Sequence, residues 1–451
     1  MEIENEDERV EELLDTIEEH IEGGKVEELK SVMESEHPGD IADAIQELDD
    51  DEQNLVFGLL EDEQAGDVLE EANTATRLEI IEDLEADELS DIIVTMPPDE
   101  AVDLLEDMPI GKAEEVLGQI PEDESEQLKE LLKYPPDSAG GIMTPAMVKV
   151  RGNLTVEQAL EHLRRTVVPD SIFYIYVVDS EGKLLGTVRI RRLITSDLKI
   201  QMCDLLEEKL ITVPVEMDQE EVAKMFNKHD LLAMPVVDSS GVLLGQITVD
   251  DVMDVMEEEA TEDAFKLAGT DDAELKSESA FKIARIRLVW LLICLMGTMI
   301  SGSVIRLFQP TLSHVIAMAA FIPAIMAMGG NSGLQTTTVT VRGLATGELS
   351  SVRIFRLIFR EVRVSLLIAS VCGLIMGVVA KFWVGKIILG AIVGCAMFCT
   401  ITFAATLGVI LPLTFNKLKI DPAVASGPFI TTMNDTTSLL IYFTLINLML
   451  K

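Results

Sequence analysis

Five long apolar segments follow residue 281, and they constrain the fold more than any other feature of the chain. They cover residues 284–306, 314–341, 364–384, 387–415 and 422–450. Because roughly 20 helical residues span a hydrocarbon core about 30 Å thick, each segment is long enough to cross a bilayer. The sequence therefore predicts a multidomain membrane protein whose residues 282–451 form a transmembrane domain of five helices.

The basic residues predict how this domain is oriented. If the N-terminus is cytoplasmic, ten of the 14 Lys and Arg residues after position 280 lie inside and four lie outside. This bias follows the positive-inside rule. We expect a multi-pass protein of the plasma membrane, with the soluble residues in the cytoplasm and the C-terminus external.

Charge divides the chain at the same place. Only four of the 79 Asp and Glu residues lie after position 280, so residues 1–280 hold 75 acidic and 21 basic residues. Such a surface repels phosphates and excludes nucleic acid as a partner. The acids either form inward-facing clusters that bind cations or are scattered as an adaptation to a salty cytoplasm, and the composition leaves both open.

The soluble part contains two kinds of pattern. Residues 1–135 show short amphipathic helices punctuated by prolines and no strand pattern, which predicts an all-α helical solenoid. A strand-turn-strand pattern around 177–186 then recurs 59 residues later at 236–245. This recurrence predicts two α/β repeats, over 136–200 and 201–256.

The two α/β repeats resemble a tandem pair of CBS domains. In that family a GxxTxxD string often contacts a nucleotide ribose, and Gly245, Thr248 and Asp251 match it. The first repeat has Arg189 and Arg192 in place of the Thr and Asp. The resemblance implies an adenine nucleotide such as ATP at Thr248 and Asp251.

The sequence predicts a connecting helix over 257–281, directly after the second repeat. Asp251, Asp254, Glu258 and Glu262 are spaced by three or four residues and therefore share one helical face. Like charges at this spacing destabilise a helix unless they are neutralised. The segment is either a solvated acidic connector or a connector whose structure depends on cations.

One carboxylate lies within an apolar segment. Asp435 is the single ionisable group of residues 422–450, and intramembrane acids mark ion pathways by default. The alternative is a protonated Asp435 that donates a hydrogen bond between helices.

The second segment carries two amides, Asn331 and Gln335, beside Pro323 and several glycines, and such irregular sequence is tolerated where backbone lines water. Oxygen ligands without thiol or imidazole favour a hard cation such as Mg²⁺.

The order of these parts resembles the MgtE magnesium transporter family over nearly the whole chain. The matching motifs are GGNSGLQ at 329–335, LATGE at 344–348 and DPAVASGPFITTMND at 421–435. The resemblance implies that Asp435 and the Thr431 carbonyl hold hydrated Mg²⁺ in a pore between the two subunits of a homodimer. Ser438 stands where that family has glycine.

The same resemblance implies cytoplasmic Mg²⁺ sites that close the pore, with the connecting helix as a plug. They fall on Asp218, Glu220, Asp230, Asp251, Asp254, Glu259, Glu262 and Asp263. In the N-terminal domain, Asp87 with Asp91 and Asp99 with Asp103 are alternative ligand pairs. Gly140 is a candidate backbone ligand.

The predicted function is a Mg²⁺-selective channel for magnesium uptake that closes when cytoplasmic Mg²⁺ is high. The sequence contains no phosphate-binding loop, HExxH motif or nucleophile elbow, so we do not expect an enzyme. The alternatives are a carrier that exchanges a divalent cation for Na⁺ or H⁺, and a divalent-ion or nucleotide sensor that transports nothing.

Overall fold

The computed structural model describes residues 6–165, 172–207, 209–274, 279–347, 349, 351–425 and 427–449. Glu348 of the LATGE motif, residues 275–278 of the predicted connecting helix and Lys451 lie outside the described residues. The chain divides into two compact units, 1–256 and 257–451.

The first unit begins with a run of short helices. They are α1 Glu6–Glu22, α2 Val26–Met33, α3 Pro38–Ile45, α4 Asp50–Phe57, α5 Asp62–Glu71, α6 Thr74–Asp83, α7 Ala86–Thr95, α8 Pro98–Asp107, α9 Ile110–Leu117 and α10 Glu122–Leu131. Helices α1, α3, α5, α7 and α9 pack successively on one another. Packing between alternate helices gives the layered stack that the proline-punctuated pattern predicts.

Local sequence explains where these helices begin. Proline occupies the first turn of α3 and α8, where its missing N–H is not needed. The side chains of Asp49 and Asn73 each accept a hydrogen bond of 3.0 Å from a first-turn N–H of α4 and α6. Caps of this kind define helices that are otherwise only two or three turns long.

Two small α/β repeats complete the first unit. Their strands are β1 Lys149–Arg151, β2 Tyr174–Val178, β3 Leu184–Arg189, β4 Val213–Pro214, β5 Ala233–Val237 and β6 Leu243–Thr248, and their helices are α11 Val156–Leu163, α12 Ile190–Thr195, α13 Gln219–His229 and α14 Val249–Ala268. Both sheets have a parallel pair followed by an antiparallel pair, in the orders β1-β2-β3 and β4-β5-β6. The Tyr176 hydroxyl donates to Gln246 Oε1 at 2.9 Å and joins the repeats. The recurring sequence pattern thus corresponds to a recurring fold.

The second unit contains the long apolar helices. They are α15 Ala280–Leu307, α16 Gln309–His314, α17 Ile322–Ala345, α18 Ser351–Val384, α19 Ile387–Lys417 and α20 Gly427–Met449, with 3₁₀ turns at Asp272–Glu274, Ile316–Phe321 and Pro422–Ala425. Four candidate spans have the length and apolar composition to cross a membrane: Ala280–Leu307, Ile316–Ala345, Ile354–Val384 and Ile387–Lys417. Helix α20, the predicted fifth span, has 23 residues, but Asn434, Asp435 and its threonines lower its hydropathy. The count of five spans therefore stays a prediction.

Helix α20 is held in the second unit by close packing and by hydrogen bonds. A methyl group added at Gly297 of α15 would lie 1.6 Å from Thr432 Cγ2 and 3.0 Å from Thr432 Cβ. One turn further, Ser301 Oγ and Thr436 Oγ1 are hydrogen-bonded at 2.9 Å. The Tyr442 hydroxyl donates to the Met318 carbonyl at 2.8 Å. These contacts fix the position of Asp435 from two sides.

We expect Gly297→Ala to lower the thermal midpoint of the detergent-solubilised protein. Since the Thr432 Cβ cannot rotate away, α15 and α20 would have to separate, and overpacking of this kind costs about 1–3 kcal/mol. Gly302→Ala on the same helix is the matched control, because its added methyl group would meet no atom within 4 Å. Equal midpoints for the two variants in circular dichroism melting would contradict this packing.

Candidate functional site

The predicted pore residues lie on two helices that are in contact. Asn331 and Gln335 are exposed on one face of α17, Thr431 is exposed on α20, and Asp435 is partly exposed one turn later. A methyl group at Gly330 would lie 3.5 Å from Thr431 Cγ2. The structure therefore brings the two predicted halves of the pore together on neighbouring helices.

Asp435 has no basic partner and no side-chain hydrogen bond among the residues that the structure describes. The alternative in which protonated Asp435 bonds another helix thus has no acceptor in the described part of the chain. A carboxylate in this position is stabilised by water or by a cation.

Asn434 is a polar residue that the sequence analysis missed. It is 1% exposed, and neither its side-chain oxygen nor its nitrogen has a hydrogen-bond partner among the described residues. A methyl group at Gly333 would lie 2.0 Å from its Nδ2, so glycine at 333 makes room for the amide. A buried amide without partners costs about 1–3 kcal/mol. The one feature of the sequence that could have indicated Asn434 is its position directly before Asp435.

Further polar groups lie between α17, α19 and α20. A methyl group at Gly329 would lie 2.6 Å from Ser438 Oγ and 2.8 Å from Thr400 Cγ2. Thr400 and Ser438 are each 1% exposed, and Thr400 Oγ1 has no hydrogen-bond partner in the described structure. Ser438, at the position where the family motif has glycine, therefore packs directly against α17.

A second candidate site lies in the first unit, where α8 meets the start of α14. One carboxylate oxygen from each of Asp99, Glu100 and Asp251 lies within 4.8 Å of the others. Thr248 donates to Asp251 Oδ2 from its N–H at 2.9 Å and from its hydroxyl at 2.5 Å. Asp99 Oδ1 is buried and has no hydrogen-bond partner in the part of the chain that the structure describes. We call these three acids the acidic cluster.

The acidic cluster is electrostatically unfavourable without a cation. Burial, reinforced by the charge of Asp251, raises the pKa of Asp99 to about 6. Burial and the neighbouring carboxylate Glu70 raise the pKa of Glu100 to about 9. Burial is also the main reason that the pKa of Glu70 rises to about 7, with the charges of Asp99 and Asp254 adding to it. Three carboxylates without nitrogen or sulfur ligands fit a hard divalent cation.

The acidic cluster contains one member, Asp99, of the two ligand pairs that the sequence left open, and both pairs stay predictions. Asp99 belongs to it, whereas Asp87 and Asp91 are exposed on α7 and lie outside it. The sequence could not separate these pairs, because both place two acids four residues apart on a short helix. A metal role for Asp87 and Asp91 stays a prediction with no supporting geometry.

The other predicted regulatory residues have varied surroundings. Asp218 caps α13 by accepting a hydrogen bond of 3.0 Å from the Glu220 N–H, and Glu220 pairs with Lys224 at 3.0 Å. Asp230 ends that helix with a left-handed φ of 50°.

Gly140 is buried against Tyr134 and Val215, and its N–H donates to the Val215 carbonyl at 2.9 Å. Glu259 and Asp263 lie partly buried on α14. The described residues group only Asp251 of the predicted set into a three-acid site, so the remaining metal roles stay predictions.

The end of α14 is attached to the start of α20 within the second unit. Lys266 pairs with Glu262 and, at 2.7 Å between Nζ and Oδ2, with Asp421. Both carboxylates raise the pKa of Lys266 against the effect of its burial. Gly427 lies so close that an added methyl group would meet the Leu267 carbonyl oxygen at 2.2 Å. The sequence did not indicate this ion-paired contact, which joins residues 155 positions apart.

A cleft between the two α/β repeats differs from the predicted nucleotide site. Its volume is about 510 Å³, and its lining includes Tyr174, Arg189, Arg192, Lys209 and His229. Thr248 is not among the residues that line it, and Thr248 is hydrogen-bonded to Asp251. The two arginines that depart from the motif in the first repeat thus contribute positive charge to the cleft together with Lys209, and Glu207 of the lining pairs with Arg189 at 3.7 Å.

Together, the apolar helical unit, the polar face around Asp435 and the paired α/β repeats are typical of a membrane transport protein that carries a separate α/β module. Residues 322–445 match the MgtE family, described as divalent cation transporter. Residues 36–137 match the MgtE intracellular N domain, and residues 139–199 and 203–258 match the CBS domain.

Known magnesium transporters are similar in sequence to this chain. The chain is 40% identical over 321 residues to the magnesium transporter MgtE of Bacillus subtilis, covering 71% of each protein. It is 40% identical over 329 residues to that of Enterococcus faecalis, covering 73% of this chain and 72% of the relative. The solved cytosolic domain of the Mg²⁺ channel MgtE in complex with ATP matches with a TM-score of 0.52 and 32% identity, covering 54% of this chain and 99% of that one. The chain belongs to the MgtE family, a family of transporters rather than enzymes, which confirms the predicted resemblance.

We expect Asp99→Asn to stabilise the ion-free protein at pH 8 and to have little effect near pH 4. The folded pKa of Asp99 lies above its ordinary value of 3.8, at about 6. Stability is therefore lost as the pH rises from about 4 to about 6, and the asparagine removes that loss. Thermal midpoints of the full chain in a chelator measure the effect, with the exposed Asp87→Asn as control.

Adding Mg²⁺ should raise the wild-type midpoint more at pH 8 than at pH 6, because the ion must displace protons from the cluster. It should raise the Asp99→Asn midpoint less. If instead Asp87→Asn alone weakens the Mg²⁺ effect, the ligand pair on α7 is correct and the acidic cluster is not the site.

Proposed function

We propose that the chain takes up Mg²⁺ across the plasma membrane through a pore lined by α17 and α20. The observation that carries this proposal is the position of Asp435, which has no basic partner among the described residues. It lies with Thr431 on α20, which packs against α17, the helix that exposes Asn331 and Gln335. Mg²⁺ retains most of its water and is held by one or two carboxylates. The names of the relatives as magnesium transporters support this choice of ion.

The pore forms between two copies of the chain. A single chain supplies one intramembrane carboxylate, whereas a two-fold dimer supplies two copies of Asp435 and thus two negative charges for one divalent ion. The exposure of Asn331 and Thr431 in a single chain agrees with a face that a second subunit completes. In this arrangement α20 is the fifth membrane span, residues 1–280 are cytoplasmic and the C-terminus is external.

Cytoplasmic Mg²⁺ closes the pore by binding the acidic cluster. Two unit charges 4 Å apart repel by about 4 kcal/mol at an effective dielectric constant of 20, so without ions the ionised carboxylates of Asp99 on α8 and Asp251 on α14 push apart at neutral pH. Bound Mg²⁺ removes this repulsion and favours the compact arrangement. Because α14 continues to the ion pair between Lys266 and Asp421 at the start of α20, the state of the cluster is transmitted to the pore helix as a population shift.

We expect Asp435→Asn to abolish growth rescue in a host that lacks its own Mg²⁺ uptake. The amide keeps the size of the side chain but removes the charge that compensates for the lost water of the ion. Asp435→Glu, which keeps the charge, is the matched variant and should retain part of the rescue. Unchanged rescue by the asparagine variant would remove Asp435 from the transport path and favour a sensor without transport.

Removing charge from the acidic cluster and its neighbour Asp254 should increase Mg²⁺ uptake rather than abolish it. The triple variant Asp99→Asn, Asp251→Asn and Asp254→Asn is expected to keep transporting at high internal Mg²⁺, which appears as excess Mg²⁺ accumulation in the host. A control removes three exposed acids of α9 and α10, by Glu114→Gln, Glu115→Gln and Glu122→Gln, and should accumulate no excess. Equal accumulation by both triple variants would assign the effect to overall charge.

A second function, nucleotide binding, is favoured by the cleft between the repeats. Its arginines, lysine and histidine suit the phosphates of an adenine nucleotide, and Tyr174 offers a ring for base stacking. The solved relative was crystallised with ATP. We expect Arg192→Ala to weaken ATP binding in calorimetry by at least about tenfold, in keeping with the loss of a hydrogen bond to a charged group. Thr248→Val, outside the cleft, is the control, and a larger loss from Thr248→Val would restore the motif-based site.

A further inference from the structure

A basic cavity lies in the second unit between the last turns of α17 and the first turns of α18. Its volume is about 710 Å³, and its lining includes Thr338, Arg342 and Thr346 from α17 and Arg356 and Arg360 from α18. Neither the pore nor the acidic cluster uses these residues. Three guanidinium groups around one cavity repel one another unless an anion lies between them.

Among the residues that the structure describes, one acidic group balances part of the charge of the cavity. Arg360 pairs with Glu361 at 3.0 Å. Arg342 and Arg356 form no ion pair with any residue that the structure describes. Arginine offers planar pairs of N–H donors that match phosphate oxygens. The cavity is therefore suited to a phosphate-bearing anion.

The length of α18 places this cavity at the membrane surface. The helix has 34 residues and is therefore about 51 Å long, whereas the hydrocarbon core is about 30 Å thick. Because the uninterrupted apolar segment of this helix, 364–384, lies at its C-terminal end, its first turns extend beyond the hydrocarbon. With the inward orientation proposed above, Arg342, Arg356 and Arg360 lie at the depth of the headgroups of the cytoplasmic leaflet.

Apolar side chains next to the arginines indicate an amphiphilic ligand. Phe355 and Phe359 precede Arg356 and Arg360 and are 68% and 62% exposed, and Val339 of α17 is 46% exposed. A free phosphate ion would gain nothing from these groups. A lipid could place its phosphate among the guanidinium groups and its chains along the phenylalanines.

We propose that this cavity binds the headgroup of an anionic phospholipid of the cytoplasmic leaflet. The phosphate accepts hydrogen bonds from Arg342 and Arg356, and the acyl chains pack on Phe355 and Phe359. Basic pockets between membrane helices on the cytoplasmic side recognise lipid headgroups in this way. The proposal rests on the proposed orientation but not on transport of Mg²⁺.

The test compares lipid binding by the full chain in detergent, measured as lipid adducts in native mass spectrometry. Phosphatidylglycerol should bind more tightly than phosphatidylcholine of the same chain length. Arg342→Gln with Arg356→Gln should weaken phosphatidylglycerol binding by about 30-fold, the effect of two arginines near a charged headgroup. The matched control is Lys282→Gln with Arg285→Gln, which removes two exposed charges from the same side of the membrane and should change binding less than about twofold.

Each other result overturns the proposal. Equal binding of the two lipids by the wild type shows that charge does not select the ligand, even if the variants fail to fold. Equal losses in the two double variants show non-specific attraction of anionic lipid. Displacement of the lipid by millimolar inorganic phosphate identifies a free anion as the ligand. Mg²⁺ uptake, measured separately, shows whether the transport proposal stands independently of these outcomes.

Discussion

The cost of removing a carboxylate from water without a cation is the constraint on which this structure depends. Carboxylates lie at least partly away from water in two places, at Asp435 on α20 and at the cluster of Asp99, Glu100 and Asp251. Neither place has a basic side chain beside its carboxylates among the described residues, and the proposed function assigns a cation to both. Under the proposed function, Mg²⁺ binds at both places. It passes Asp435 on its way through the pore and then binds the acidic cluster in the cytoplasm.

The packing around each site explains why the carboxylates stay where they are. Glycines on α15 and α17 let α20 approach closely, and hydrogen bonds from Thr436 and Tyr442 hold it in place. In the first unit, Thr248 anchors Asp251 through two hydrogen bonds. These contacts are made by neutral groups, and they therefore fix the acids without neutralising them.

Much of the architecture was predictable from sequence, because helical periodicity, proline punctuation and a repeated strand pattern are local properties. The site was only partly predictable. Asn331 and Asp435 stood out as polar residues in apolar segments. The grouping of Asp99, and not Asp87, with Asp251 depends on which helix faces α14, and no local pattern contains that information. The contact between Lys266 and Asp421 depends likewise on tertiary packing. In the predicted fifth span, the polar residues that suggest a function also lower the hydropathy by which a membrane span is recognised.

Electrical recording from membrane patches, with Mg²⁺ varied on the cytoplasmic side alone, tests the central claim most directly. The proposed function predicts unitary Mg²⁺ currents whose open probability falls as cytoplasmic Mg²⁺ rises, with no unitary current from Asp435→Asn. Mg²⁺ flux without unitary openings would identify a carrier. Openings whose probability is independent of cytoplasmic Mg²⁺ would contradict the claim that the acidic cluster controls the pore.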